Sequence, residues 1–115
     1  VSGAGTRAMF IPKKSAFRAG TVSAAGEWDD ASVGIYSAAL GKDTIAAGSY
    51  SFATGDTAQV NLGADRSFAI GTTSYIDGDY SMGLLTDVYV TGNYSMGIGL
   101  RNLLGGNYST VSGDS

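Results

Sequence analysis

The chain has no cysteine, no histidine and a single proline, and only 15% of its 115 residues are charged. Each shortage removes a class of chemistry. Without cysteine there is no disulfide framework, thiolate zinc site or thiol nucleophile; without histidine the usual general base and the commonest transition-metal ligand are missing. Any catalysis would have to run on carboxylates, tyrosine, lysine and serine. Seven Lys and Arg against ten Asp and Glu leave a net charge of −3, so the phosphate attraction of a nucleic-acid binder is not expected. Apolar runs stop at four or five residues, too short to span a membrane, so no direct membrane insertion by this segment is expected. A starting Met and a signal-like segment are also lacking, which suggests a mature product or an excised fragment.

What the chain has in excess is glycine, 18 residues with 43% apolar content, a combination that fits neither disorder nor collagen. Most of these glycines belong to a repeat. Anchoring on the serine of a Gly-x-Tyr-Ser tetrad gives Ser37, Ser51, Ser67, Ser81, Ser95 and Ser109, spaced by 14, 16, 14, 14 and 14 residues. Three residues before the anchors stand Gly34, Gly48, Ala64, Gly78, Gly92 and Gly106, and one before stand Tyr36, Tyr50, Arg66, Tyr80, Tyr94 and Tyr108. Four residues after come Gly41, Gly55, Gly71, Leu85, Gly99 and Gly113. The roughly seven-residue beat of glycine leaves no room for helix.

Each repeat reads as two short strands and two corners. With period two, each serine shares a face with a small residue (Ala39, Ala53, Ala69, Gly83, Gly97), while the opposite face carries Leu40, Phe52, Phe68, Ile70, Met82, Leu84, Met96 and Ile98. Nine residues after each anchor an apolar side chain recurs (Ala46, Val60, Ile76, Val90, Leu104), preceded by a variable one (Ile45, Gln59, Tyr75, Tyr89, Leu103). Corner glycines fit positive φ and close stacking of backbones. The pattern predicts an all-β, parallel β-solenoid of about six coils over residues 34–115. So small a coil has space between its two sheets for Ala, Ser and Gly only. The large residues then form an outer stripe beyond what a soluble monomer exposes, and self-association would cover it. The alternative arrangement points the large residues inward and the small ones outward.

Segments such as Ser37-Ala-Ala-Leu-Gly41 and Ser67-Phe-Ala-Ile-Gly71 resemble the Ser-Val-Ala-Ile-Gly-type repeats of the YadA-like head domains of trimeric autotransporter adhesins. The resemblance spans residues 34–113. It implies a left-handed parallel β-roll, a homotrimer, and a place at the tip of a bacterial surface fibre that attaches to a host-surface protein or carbohydrate. Similar repeats occur in phage tail fibres and in bacterial surface proteins that end in a self-cleaving chaperone domain. The roll is expected to deviate where Ala64 and Leu85 replace corner glycines.

Residues 1–33 do not repeat. Val1–Thr6 reads as a loop, Arg7–Ile11 and Ser15–Ala19 as strands around Pro12-Lys13-Lys14, and Glu27–Asp30 as a turn, together an N-terminal cap on the solenoid edge. Phe17–Gly20 followed by Trp28-Asp-Asp resembles the lead-in of the chaperone-terminated proteins, and Trp28 is expected to be a packing anchor. The break in period lies in Gln59–Arg66. It reads either as drift at a tolerant turn or as a bulge on a ligand-facing side, with Gln59, Asn61, Asp65 and Arg66 as candidates.

Nothing in the chain assembles a catalytic motif. No catalytic, cofactor or metal residues are expected, although Asp77-Gly78-Asp79 has the composition of either a turn or two calcium ligands. Asn93-Tyr-Ser95 and Asn107-Tyr-Ser109 match the glycosylation triplet only because the repeat places Asn there. Tyrosines at five equivalent positions should stack as a ladder that Arg66 interrupts; such ladders stabilise solenoids and can bind sugar rings. Taken with the resemblance to YadA-like heads, the expected function is a non-enzymatic module of an extracellular fibre at the cell surface, or else a phage tail-fibre segment on a virion. A carbohydrate-active enzyme, lacking a convincing carboxylate pair, ranks third.

Overall fold

A computed structural model describes residues 5–23, 28 and 30–114. Glu27 and Asp29 of the expected turn lie outside the described residues, as do residues 1–4 of the expected leading loop. The chain is an all-β parallel solenoid. It opens with an antiparallel hairpin, β1 (Gly5–Ile11) and β2 (Ala16–Val22), then a single 3-10 turn at Asp30–Ser32. Each coil then contributes one long and one short strand: β3 (Ala38–Lys42) and β4 (Ile45–Ala46), β5 (Phe52–Asp56) and β6 (Gln59–Val60), β7 (Phe68–Thr72) and β8 (Tyr75–Ile76). The series continues with β9 (Met82–Thr86) and β10 (Tyr89–Val90), β11 (Met96–Leu100) and β12 (Leu103–Leu104), and ends at β13 (Thr110–Asp114).

Long strands stack in the order β1-β2-β3-β5-β7-β9-β11-β13 and short ones as β12-β10-β8-β6-β4. Five coils close fully. The sixth anchor, Ser109, opens only β13, so the expected count of about six is one too many. Within the hairpin β1 begins at Gly5, inside the stretch read as a loop, and β2 runs on to Val22. Because β2 pairs in parallel with β3, the hairpin extends the long sheet and covers its first edge.

The thin core is the space between the sheets. Ala39, Ala53 and Ala69 line one side and Ala46, Val60, Ile76, Val90 and Leu104 the other, all essentially inaccessible. The two sides compensate in volume. Where the short sheet carries larger residues the long sheet has only glycine: a Cβ on Gly83 would lie 2.7 Å from Ile76 Cδ1, and one on Gly97 3.2 Å from Leu104 Cδ1. Close packing of this kind penalises even one added methylene.

Serine at the anchor follows from the hydrogen bonds it makes. Ser67 Oγ donates to the Gly78 carbonyl at 2.9 Å and accepts the Ser81 amide at 3.0 Å; Ser81 repeats this with Gly92 (2.8 Å) and Ser95 (3.1 Å), and Ser95 with Gly106 (2.9 Å) and Ser109 (3.1 Å). One buried hydroxyl thus satisfies two backbone groups of the next coil. A parallel column runs through the residue two before the anchor, where a side-chain oxygen accepts the amide one coil earlier: Asp65 from Ser49, Asp79 from Asp65, Asn93 from Asp79 and Asn107 from Asn93.

The corners divide the conformational burden in an unexpected way. Gly41, Gly55, Gly71, Gly99 and Gly113 do have positive φ, between 104° and 129°, but the glycines three before the anchor do not. The left-handed positions beside those are Tyr36, Tyr50, Arg66, Tyr80, Tyr94 and Tyr108, with φ of 53–58°. Gly48, Gly78 and Gly92 are needed instead because their α-carbons rest against the backbone of the next coil.

Two further residues seat the hairpin. Trp28 is buried and donates from Nε1 to the Thr44 carbonyl at 3.0 Å, which makes it the packing anchor of the first coil. Arg18 is buried between the sheets, donating to Phe17 O (2.9 Å), Ser37 Oγ and Ala46 O (both 3.0 Å), and burial lowers its pKa to about 10. Ser37 Oγ still reaches Gly34 O, and Ala46 O still accepts the Gly34 amide, if the guanidinium is removed. Arg18→Met is therefore expected to stay within about 1 kcal/mol of wild type, since filling the space with an apolar chain of similar length removes a buried charge without orphaning a partner. Arg18→Ala should cost about 2–4 kcal/mol through the cavity it leaves. Denaturant titration of the two variants distinguishes packing from charge as Arg18's contribution.

Candidate functional site

Strand register sorts the outer face of the long sheet into columns. The first contains Phe10, Phe17, Ala38, Phe52, Phe68, Met82, Met96 and Thr110, each the pairing partner of the next. Beside it run Ala8, Ala19, Leu40, Thr54, Ile70, Leu84, Ile98 and Ser112. The large residues thus point away from the core, and the arrangement with large residues inside does not occur. All of them keep solvent contact, with Phe10, Phe17 and Phe68 the most open. Phe52 and Phe68 pack ring to ring at 5.8 Å.

Eight strands about 4.8 Å apart make the stripe about 34 Å tall, in keeping with a longest dimension of 37 Å. The tyrosine ladder borders it. Rings stack at 5.1 Å (Tyr36–Tyr50), 4.9 Å (Tyr80–Tyr94) and 5.0 Å (Tyr94–Tyr108), and the last two pairs are nearly parallel at 3°. Arg66 does not break the ladder, contrary to expectation. Its guanidinium lies 4.9 Å from the Tyr50 ring and 5.5 Å from that of Tyr80, so the cation fills the missing step. With faces turned to one another, the inner rings have no free face for a sugar.

Between ladder and stripe lies a long open groove. One part, of about 660 Å³, is walled by Tyr36, Tyr50, Phe17, Phe52 and Phe68; another, of about 300 Å³, by Arg66, Tyr80, Tyr94, Met82 and Met96. Thr6, Thr21, Lys42, Asp56, Thr72 and Thr86 form the polar border on the far side.

The insertion residues do not gather into a site. Gln59 stacks within the short sheet, Asp65 accepts the Ser49 amide, Asn61 donates to Asp77, and Arg66 belongs to the ladder. The two extra residues make a turn closed by Ala64 N to Asn61 O at 3.0 Å, with Leu62 at its tip, 80% exposed. Ala64 is buried against Gly48, as a corner glycine would be, so the roll does not deviate there. Asp77 and Asp79 are engaged by Asn61 and the Asp65 amide, the turn reading of that motif. Among the described residues no group of three or more acidic side chains could hold a metal.

Leu85 is where the coil is strained. It pairs in register with Gly71 and Gly99, yet takes φ of 87° and leaves its side chain 54% exposed. Leu85→Gly is expected to raise stability by about 1 kcal/mol, because relief of the left-handed backbone outweighs the added freedom of the unfolded chain. A higher urea midpoint would show it; a lower one would mean that the side chain contributes more contact than the free face suggests.

Asp43 joins the hairpin to the first coil. Its two oxygens accept the Ser23 amide and hydroxyl, each at 2.6 Å, and these bonds hold its pKa below the usual carboxylate value. Lys42 lies 3.2 Å away on the surface. A depressed carboxylate pKa stabilises the fold above the unfolded value and loses that contribution as pH falls through the folded one. The stability gap between wild type and Asp43→Asn is therefore expected to be full near neutrality and to close below about pH 4. Denaturation midpoints measured across that range test it.

Comparison with family models, with curated proteins and with solved structures gives no match to this chain.

Proposed function

We propose that this chain is a non-enzymatic attachment module of an extracellular fibre, in which three copies pack their apolar outer faces together as a homotrimer of left-handed β-rolls. The observation that carries the reading is the unbroken apolar column from Phe10 to Met96, in register across seven strands with every member at least partly exposed. A monomer gains nothing from keeping Phe and Met in line on a solvated face; a partner supplies the missing contacts. The resemblance of the repeats to YadA-like heads supports three copies and a place at the cell surface, and the same repeats in tail fibres support a virion as the second setting. Ligands on this reading are host-surface proteins or carbohydrates, met by surfaces the trimer leaves outside, and no cofactor takes part.

Beads coated with the assembled protein and presented to mammalian cell layers and to bacterial envelopes test both settings. Attachment to the former favours an adhesin and to the latter a tail fibre. An assembled protein that attaches to neither contradicts the functional reading.

A further inference from the structure

The outer face carries two charges of opposite sign on its opposite borders. On the ladder side is Arg66, the one cation in a column of tyrosines. Its guanidinium carbon lies 4.9 Å from the Tyr50 ring centroid and 5.5 Å from that of Tyr80, and no carboxylate among the described residues lies within ion-pair distance. On the polar side, at the end of β5, is Asp56. Its carboxylate is half exposed and accepts the neighbouring Thr57 hydroxyl at 3.0 Å; its nearest cation, Lys42, is 3.8 Å away and closer to Asp43.

The two cannot meet within one chain. Four residues of extended β5 separate Asp56 from Phe52, about 13 Å, and the ladder lies beyond Phe52 on the far side. Around an axis parallel to the solenoid, however, the ladder border of one copy meets the polar border of the next at matching heights. Arg66 enters β7, whose far end Thr72 pairs with Asp56 of the strand below. The vertical offset is one strand spacing, about 4.8 Å, within reach of an arginine side chain.

Resting on the trimeric reading above, we infer that Arg66 of each copy forms an ion pair with Asp56 of the next, closing the ring and fixing the vertical register of the three rolls. Apolar columns alone specify register poorly, because sliding by one coil presents nearly the same residues; one charge pair per interface removes that degeneracy. A planar guanidinium held by two rings has already lost much of its freedom, which favours pairing with a carboxylate.

The absence of cysteine from the chain makes the test direct. Arg66→Cys and Asp56→Cys in one chain, treated at native protein concentration with a bis-maleimide whose spacer matches the reach of an arginine–carboxylate pair, should give a covalent trimer on a denaturing gel, since each copy links to the next in a closed ring; a direct disulfide is too short, because it needs α-carbons within about 7 Å. Covalent dimers only would support the pairing of borders but overturn threefold closure. Three-chain particles without cross-links would overturn the pairing and leave the trimer standing; uncross-linked single chains would overturn both. Charge reversal guards against a misfolded double variant. Asp56→Lys should weaken association at least tenfold, and adding Arg66→Glu should recover most of the loss; no weakening, or no recovery, counts against the pair.

Discussion

Phe68→Asp and Met82→Asp are each expected to break the assembly into single chains while leaving the roll largely folded. Within one chain both side chains lie outside the core, on partly open positions of the long sheet, so a carboxylate there is solvated and costs little. Inside an interface the same carboxylate is desolvated, and the cation nearest the groove, Arg66, is already held between Tyr50 and Tyr80, so the cost is about 3 kcal/mol or more per chain. That is more than a hundredfold in affinity. Leu103→Asp, on the short sheet and 73% exposed, is the control and should leave the particle mass unchanged. Folded, native-mass particles from both Phe68→Asp and Met82→Asp would show that the bulky face is not where the chains meet.

The second large effect concerns the stack itself. A Cβ added at Gly78 would sit 2.5 Å from the carbonyl carbon of Gly92 and closer still to its oxygen. Both neighbours are backbone, held by the ladder of inter-coil hydrogen bonds, so no rotamer change relieves the contact. Gly78 has no positive φ, so the penalty is steric rather than conformational. Gly78→Ala is expected to cost at least about 4 kcal/mol, in the range reserved for core disruption, and to unfold the chain at ordinary temperatures. Gly105→Ala is the matched comparison. There the nearest heavy atom to a new Cβ is 3.8 Å away, and near-wild-type thermal stability is expected. Equal stability for the two alanine variants would refute tight coil stacking.

The repeat was readable because its positions have different physical tasks. Serine recurs where a buried hydroxyl must satisfy two backbone groups, small residues recur where the sheets nearly touch, and Phe or Met recurs where side chains leave the core. The corners were less legible. Positive φ was expected of glycine, whereas tyrosines and Arg66 take the left-handed corner, a cost that ring stacking along the ladder offsets. Arg66 looked like a gap in the ladder because sequence shows the change of residue and not the shape a guanidinium shares with a ring. The Asp/Asn column was hidden for a similar reason. Asp65, Asp79, Asn93 and Asn107 stand at turn positions where such residues are ordinary, and only the coil spacing brings each side chain to the amide of the coil before it. Thr44, Ala58, Ser74, Val88 and Asn102 also line the core at one repeat position. Their chemistry varies too much to read as apolar: Ser74 Oγ reaches the Ile70 and Leu85 carbonyls at 3.3 Å and Asn102 Nδ2 the Ile98 carbonyl at 2.8 Å, whereas Thr44 Oγ1 and Asn102 Oδ1 are buried without a hydrogen-bond partner.

Small-angle X-ray scattering of the wild-type chain, over a range of concentrations, measures the central claim most directly. One roll has a Cα radius of gyration of 13.1 Å and a mass of 11.7 kDa. Packing through the outer face should yield a concentration-independent particle of about three times that mass, with a clearly larger radius of gyration and a length still close to that of one roll. A folded particle that keeps the mass and radius of a single roll at all concentrations would contradict the claim that the apolar face is an interface.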